Sequence, residues 1–565
     1  MNGLTRLAFV FLATVVVFVL VRLLVRGRGA IAVFLGLRRL NPRDHDFERI
    51  PARDRAAPRV PGASRVEDRT WGDLDMDQVF VAIDRTASRP GQQHLYHRLR
   101  TPCLDPAELA PFERLVAGLA QRPDLQEILA KELGRLSDPR AGYLVDLAFG
   151  DLPQSLTAKW IFPVLTLAGV TSLVACIFWA GAAFFLGGVV ATNLLVQVAL
   201  RRRMDLLVPA LHAMPWLARV AATLGTLDEP GLAVETAPLP RVASELRTLR
   251  LAATWMLFEP FQVHEYVASV YSYINMFFLL DVNAFAFSIE MVRVRRGAIR
   301  AAYEAVGRLD VALSTVRWRD ELGVWCRPDL SVSDKSIVVH DLRHPLLAEP
   351  VSNDLELHGS SMLLTGSNMS GKTTFVRTLG VAAILGQTLN TVCAAAYEAP
   401  PFAVRASIGR ADSIMDGKSY YLAEVEAIGE MIAAKSADVR HLFLIDEVFR
   451  GTNTVERVAA GHAILQYLDR GDDLVVVATH DIELVELLGD RFESFHFRED
   501  IVDGGLHFDF RLKHGPSSTR NAIALLRLMR YPDAIIDVAL ASAGRLDGIA
   551  RTRVGHPDDG SGMSS

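Results

Sequence analysis

The apolar positions of this chain change their pattern along its length. Residues 7–21 form an unbroken apolar run rich in Val, Leu and Phe. Arg22 can snorkel, so the run extends to Val25, about enough to cross a bilayer. Residues 161–200 hold no charged side chain over forty positions, which fits two short helices joined by a tight turn near Gly181. A third apolar stretch, 266–289, is interrupted by Asp281 and Asn283 and flanked by Glu259, Glu265 and Glu290. It reads as a buried helix of the soluble body. The stretches 70–150 and 205–320 are helical in pattern: Leu95, Leu99, Leu104, Leu109 and Leu115 suggest an apolar stripe, and Pro102, Pro106 and Pro123 punctuate it. Residues 298–319 read as an amphipathic helix ending near Gly323. Beyond it the period shortens. Residues 336–340, 361–365, 441–445 and 473–478 are short β-type runs with helices between them, which predicts a mainly parallel α/β sheet over about 335–510.

Charge gives these segments a direction. Lys159 precedes the forty-residue stretch, and Arg201, Arg202 and Arg203 follow it. Placing the basic flanks inside gives an outer N-terminus, three spans and a cytoplasmic remainder, as in a multi-pass protein of the cell (inner) membrane. A cleaved signal is the alternative for the first run, because Ala30 and Ala32 offer a small-residue site. Arg22, Arg26 and Arg28 lie between the run and that site and oppose export. From residue 22 to 65 there are eleven Arg against four acidic residues, a segment suited to anionic headgroups or to nucleic acid. The whole chain has a net charge of −5, so no global basic field demands nucleic acid. Half of its residues are hydrophobic, which excludes a disordered chain. The cysteines Cys103, Cys176, Cys326 and Cys393 are scattered without a C-x-x-C pair, which excludes a disulfide scaffold and a Cys-based zinc site.

The sharpest chemical signal is Gly366-Ser367-Asn368-Met369-Ser370-Gly371-Lys372-Thr373, a G-x-x-x-x-G-K-[ST] segment between a strand run and a helical one. Glycines there let backbone N–H groups wrap phosphate oxygens, and the helix N-terminus adds its dipole. Lys372 would reach the β- and γ-phosphates of ATP, and Thr373 would ligate Mg²⁺. Further along, an apolar strand run leads into Asp446-Glu447. Asp446 suits the metal, and Glu447 suits a general base acting on water. Thr479-His480 follows the next strand run, where His480 would sense the γ-phosphate. Singly, each has a bland reading: a chance loop, a helix N-cap, a structural histidine. Together they point to nucleotide hydrolysis without saying what it drives.

These residues resemble the MutS mismatch-repair ATPases. The P-loop through Thr374, the run Leu444-Ile-Asp-Glu-Val-Phe-Arg-Gly-Thr-Asn-Thr454, and Ala478-Thr-His-Asp-Ile-Glu-Leu484 are similar to that family's motifs. Ile408-Gly409, Asp412, Gly417, Ser419 and Glu424 fall at the spacing of its signature segment. The resemblance implies that Ser419 acts in trans on the γ-phosphate of a dimer partner. It implies also that His344, in Arg343-His344-Pro345, lies near the adenine, and that 515–539 supports dimerisation. Asp84-Arg-Thr86, Gly91, Leu95, Leu99 and Pro102 resemble the start of the MutS core, and 309–313 its lever helix.

The fold class expected is therefore an α/β P-loop NTPase domain of the ABC/MutS type, plus an all-α MutS-core-like helical domain with transmembrane helices. The expected organisation is an N-terminal anchor (1–28), a basic linker (29–69), a first helical part (70–158), a transmembrane hairpin (159–203), a second helical part with the lever (204–334), the ATPase domain (335–510), a helical dimerisation segment (511–550) and a disordered tail (551–565). The mismatch-reading and connector domains are not expected, and Glu456-Arg457 stands where the family usually shows Asp-Gly. Two functions fit: a membrane-anchored, dimeric ATPase working on mismatched or structured DNA, or an ATPase that remodels a membrane or a protein partner through its hairpin. An ABC transporter fits poorly, for want of a Leu-Ser-Gly-Gly signature and enough spans.

Overall fold

The computed structural model describes residues 45–58, 65–152, 160–256, 273–367, 370–409, 420–436, 438–449, 453–502, 505–516, 526 and 529–554. The expected N-terminal anchor lies outside the described residues, as do Asn368, Met369, Asp412, Gly417 and Ser419. The chain divides into two compact units, the first comprising residues 1–63, 80–101 and 107–323, the second 64–79, 102–106 and 324–565.

The first unit is helical. Leu95, Leu99, Leu115, Leu119, Leu129 and Leu133 line its core with Tyr303, Leu309 and Leu313 from the Arg296–Glu321 helix. A buried polar joint fixes the start of the Arg89–Arg100 helix. Ser88 caps it by accepting from Gly91 N. Asp310, fully buried, accepts from Ala87 N, Ser88 N and Ser88 Oγ. Gly91 is required because a Cβ there would sit 2.0 Å from Asp310 Oδ2. Burial raises the Asp310 carboxyl to about 7 despite these donors. Asp310→Ala leaves the donors unpaired, a loss of about 3 kcal/mol that should lower the thermal unfolding midpoint by several degrees, readable by circular dichroism.

Two apolar helices, Ile161–Phe178 and Ala182–Leu224, form the expected hairpin with a turn at Gly181. The second does not end at the Arg201-Arg202-Arg203 flank. It continues for 43 residues in all, roughly 64 Å at the α-helical rise. Charged side chains can leave for water while the backbone ladder runs on, so a basic flank need not stop a helix. Three windows among the described residues are long and apolar enough to cross a membrane: Ile161–Phe178, Ala182–Arg201 and Leu207–Leu224. The first two are 11% and 6% buried, whereas the third is 56% buried, with Ala210, Leu211, Met214, Leu217 and Val220 in the core. The stretch read as one buried helix is broken at Leu279, which takes a left-handed φ of 48° before the Leu280–Val294 helix.

Among its described residues the second unit holds nine strands: β1 (Ser336–Leu342), β2 (Asn353–His358), β3 (Ser361–Thr365), β4 (Ala396–Glu398), β5 (Ala403–Ile408), β6 (His441–Asp446), β7 (Leu474–Ala478), β8 (Phe492–Val502) and β9 (Gly505–His514). Six form one sheet in the order β5-β6-β7-β3-β8-β9, parallel except for β9. β3, β6 and β7 are buried at every position, as strands covered on both faces must be. One face packs Phe443, Ile445, Val475 and Val477 against Ile428, Met431, Leu465 and Leu468 of the Tyr420–Ala434 and Thr454–Leu468 helices. Elsewhere in the unit the Lys372–Leu389 helix brings Gly380 against Leu444 and Leu74, where a Cβ would lie 2.5 Å from Leu444.

Three differences from the expected organisation have physical causes. β1 joins β2 and β4 in a separate antiparallel sheet. The main sheet extends beyond residue 510, because β9 turns back on β8, so the expected helical segment starts as a strand; its helix is Asp533–Val554, four residues into the expected tail. Residues 65–79, assigned to linker and first helical part, belong to the second unit. The Asp68–Asp73 helix lies on the edge strand β5, where Ala406 N donates to Thr70 Oγ1 at 3.1 Å and Ile408 N to Asp73 Oδ2 at 3.0 Å. Two side chains thus satisfy alternate edge amides that would otherwise seek another strand.

Candidate nucleotide site

Lys372, Thr373, Asp446, Glu447 and His480 lie at the carboxyl ends of β3, β6 and β7, adjacent strands of a parallel sheet, where such sheets bind ligands, whereas His344 follows β1 of the separate sheet. The loop after β3 begins at Gly366, whose φ of 134° belongs to glycine and whose missing Cβ would meet Phe497 O at 2.8 Å. It closes at Gly371, φ 105°, which caps the Lys372–Leu389 helix. Ser370 Oγ donates to Ser367 O, tightening the loop. Lys372 is 2% exposed, and its ammonium donates to Gly366 O and to Ser367 O at 2.8 Å, so it folds over the loop it serves. Thr374 follows within the first turn of the helix, where its carbonyl accepts from Thr378 Oγ1.

Thr373 Oγ1 donates to Asp446 Oδ2 at 2.8 Å. That contact joins the helix start after β3 to the end of β6 and puts a hydroxyl beside a buried carboxylate. The pair is a donor set suited to Mg²⁺, which takes few protein ligands and completes its shell with phosphate oxygens and water. Among the described residues no cluster of three His, Cys, Asp or Glu side chains offers a denser cage. The loop, Lys372 and the Thr373–Asp446 pair therefore fit a magnesium nucleotide.

Glu447 adopts φ 66°, a conformation disfavoured for a residue with a Cβ and found at functional positions. Glu447 N donates to Ala478 O at 2.8 Å, which clips the end of β6 to β7, and Thr479 N donates to Leu364 O at 2.9 Å, which clips β7 to β3. The left-handed turn aims the Glu447 carboxylate at His480, whose Nδ1 lies 3.3 Å from Glu447 Oε1. The hydrogen bond to Glu447 raises the His480 pKa, against the opposing effect of partial burial.

The pairing of Arg457 with Asp481 carried no sequence signal. Arg457 holds Asp481 in a fork, Nε to Oδ2 at 2.9 Å and Nη2 to Oδ1 at 2.6 Å, and so fixes the residue next to His480. The Glu456-Arg457 departure from the family pattern thus places a cation that braces the histidine loop. Asn453, by contrast, caps the Thr454–Leu468 helix by accepting from Val455 N, a role its residue type already suggests. His344 is buried beside Arg377 and Asp75, themselves paired at 2.8 Å, and burial brings its pKa down to about 4. A neutral ring in such a place can stack or accept a hydrogen bond.

Residues 362–547 match the family described as MutS domain V. The chain is 31% identical over 258 residues to the DNA mismatch repair protein MutS of Thermus thermophilus, a stretch covering 45% of this chain and 31% of that protein. It is 29% identical over 272 residues to its counterpart in Natronomonas pharaonis, covering 46% and 31%. It is 31% identical over 280 residues to that of Lactobacillus delbrueckii subsp. bulgaricus, covering 47% and 32%. The chain spans about a third of the length of these relatives. Residues 362–547 thus match a MutS domain V, and the C-terminal half of the chain, with its P-loop geometry and strand-end acids, is similar to the DNA mismatch repair proteins MutS.

Proposed function

We propose that the protein is a membrane-anchored ATPase that binds and hydrolyses ATP with Mg²⁺ in a composite site of two copies, and that the cycle is coupled to DNA. The observation that carries this reading is the Thr373–Asp446 contact with the Glu447–His480 pair on the adjoining strand ends. Lys372 holds the β- and γ-phosphates, and Thr373 and Asp446 hold the metal. Magnesium would neutralise charge developing on the phosphates. Glu447 takes the proton of the attacking water, and His480, held by Glu447 and by the Arg457–Asp481 fork behind it, contacts the γ-phosphate side. Ser419 of a second copy completes the site across the dimer, and the Asp533–Val554 helix supports that dimer. The hairpin seats the protein in the cell membrane with the ATPase unit in the cytoplasm, and residues of the N-terminal run supply a further span.

A second reading, remodelling of a membrane or a protein partner without DNA, is favoured by one observation. The hairpin interrupts the helical unit instead of lying at its end, and Leu167, Phe184, Leu195 and Val198 are exposed on it. Steady-state hydrolysis by the detergent-purified protein, with Lys372→Ala as blank, separates the two. On the DNA reading, duplex carrying a mismatch or a branch changes turnover at least threefold at low salt. Turnover indifferent to mismatched, branched and single-stranded DNA overturns that coupling and leaves the membrane reading.

A further inference from the structure

The stretch 273–294 is held by the middle of the apolar hairpin through side-chain contacts to its backbone carbonyls. Asn193, fully buried, donates from its amide to Phe277 O at 2.9 Å and to Met276 O at 3.2 Å. Gln197, one turn along the same helix, donates to Asn275 O at 3.0 Å. From the other hairpin helix, Thr166 Oγ1 contacts Phe278 O at 2.7 Å, and Asn283 Nδ2 donates to Thr166 Oγ1 at 3.0 Å. These partners serve the carbonyls around the break at Leu279, where the helical ladder is interrupted. The break is also closed locally, by Asn275 paired with Asp281 through both its amide and its carbonyl. Gly169 lets the backbone come in, since a Cβ there would sit 2.7 Å from Phe277 O. Below the break, Leu279, Val282 and Ala286 pack on Phe162 with Val196 and Leu200 beside them.

Depth follows from the helical rise. Gly169 is eight residues above Ile161 and Asn193 eight residues before Arg201, so both lie roughly 12 Å from the basic end of the hairpin. A bilayer core is about 30 Å thick, and interrupted backbone survives at that depth only where protein groups satisfy it. We propose that residues 273–294 enter the bilayer beside the hairpin as a re-entrant element, its break seated on Thr166, Asn193 and Gln197. This rests on the reading of the hairpin as membrane-embedded. The partner is then the lipid bilayer, and among the described residues this element joins the two hairpin helices in the membrane. The Leu280–Val294 helix passes through Arg295 into Arg296–Glu321, which ends just before residue 324 of the second unit. The helical path that leads to the second unit therefore begins within the membrane.

The test uses full-length protein with its four cysteines replaced, reconstituted in phosphatidylcholine–phosphatidylglycerol liposomes. Met276→Cys carries a small fluorophore in one sample, and Val198→Cys, on the exposed hairpin face, carries it in another. Lipid brominated on its acyl chains should quench both at least twofold, and aqueous iodide neither. Quenching of Val198 by lipid and of Met276 by iodide would overturn the re-entrant element while sparing the hairpin. Failure of lipid to reach Val198 would refute the hairpin reading and this inference with it. Asn193→Leu with Gln197→Leu keeps the hairpin apolar and removes the seat. It should at least halve lipid quenching at Met276 with none lost at Val198, and unchanged quenching at both would refute the seat.

Discussion

Lys372→Ala should lower ATP turnover by about a hundredfold or more while the protein still folds. Removal of one positioned donor to developing charge typically costs a factor of this size. The fold should survive because the ammonium donates to carbonyls of its own loop, Gly366 O and Ser367 O. The apolar core beneath, Leu363 with Phe443 and Val475, is untouched. The measurement is steady-state hydrolysis beside far-UV circular dichroism and size-exclusion chromatography. Wild-type turnover in the variant would remove the phosphate role from Lys372. An unfolded variant would show that the loop is structural, and Lys372→Met, which keeps the apolar stem, would then decide.

Glu447→Gln should bind ATP normally and turn it over at least a hundredfold more slowly, the usual contribution of a positioned base. Gln keeps the shape and the contact to His480 but cannot take a proton. The same variant should move His480. Glu447 raises its pKa now, so loss of the negative charge should lower it and shrink the population of imidazolium near neutral pH. Histidine NMR titration reads that shift independently of turnover. Slow hydrolysis with an unmoved His480 would keep Glu447 as base but deny the pairing. Wild-type hydrolysis would deny the base itself.

The parts of this site legible in the sequence were those carried by local pattern. Gly366 and Gly371 take backbone angles that favour glycine, Lys372 opens the helix, and the runs before Asp446 and Thr479 are apolar because parallel strands are covered on both faces. The missed parts depend on neighbours distant in sequence. Arg457 gains meaning only when Asp481 is brought to it across 24 residues. The parallel reading of 335–510 took β1 into the main sheet, because a short apolar run does not name its partner strand. The hairpin was legible by its missing charges, but not the length of its second helix, because Arg201 ends an apolar window without ending a helix. The break at Leu279 was hidden for a different reason. Leucine is a poor marker of a left-handed residue, and Asp281 and Asn283 looked like mere interruptions of an apolar run.

The Asp68–Asp73 helix that covers the edge of β5 has a consequence for how the chain is made. Thr70 and Ala406 are 336 residues apart, yet they share one hydrogen bond. At a synthesis rate of about 5–20 residues per second, the first is produced roughly 20 to 70 seconds before the second. During that interval the helical unit and the hairpin are translated, while Trp71 and Leu74 wait without the sheet they will join. The second unit therefore completes its fold backwards along the chain, by recapturing an early segment. A ribosome-bound intermediate that halts before β5 would hold that segment free, a natural binding site for a chaperone that recognises exposed apolar peptide.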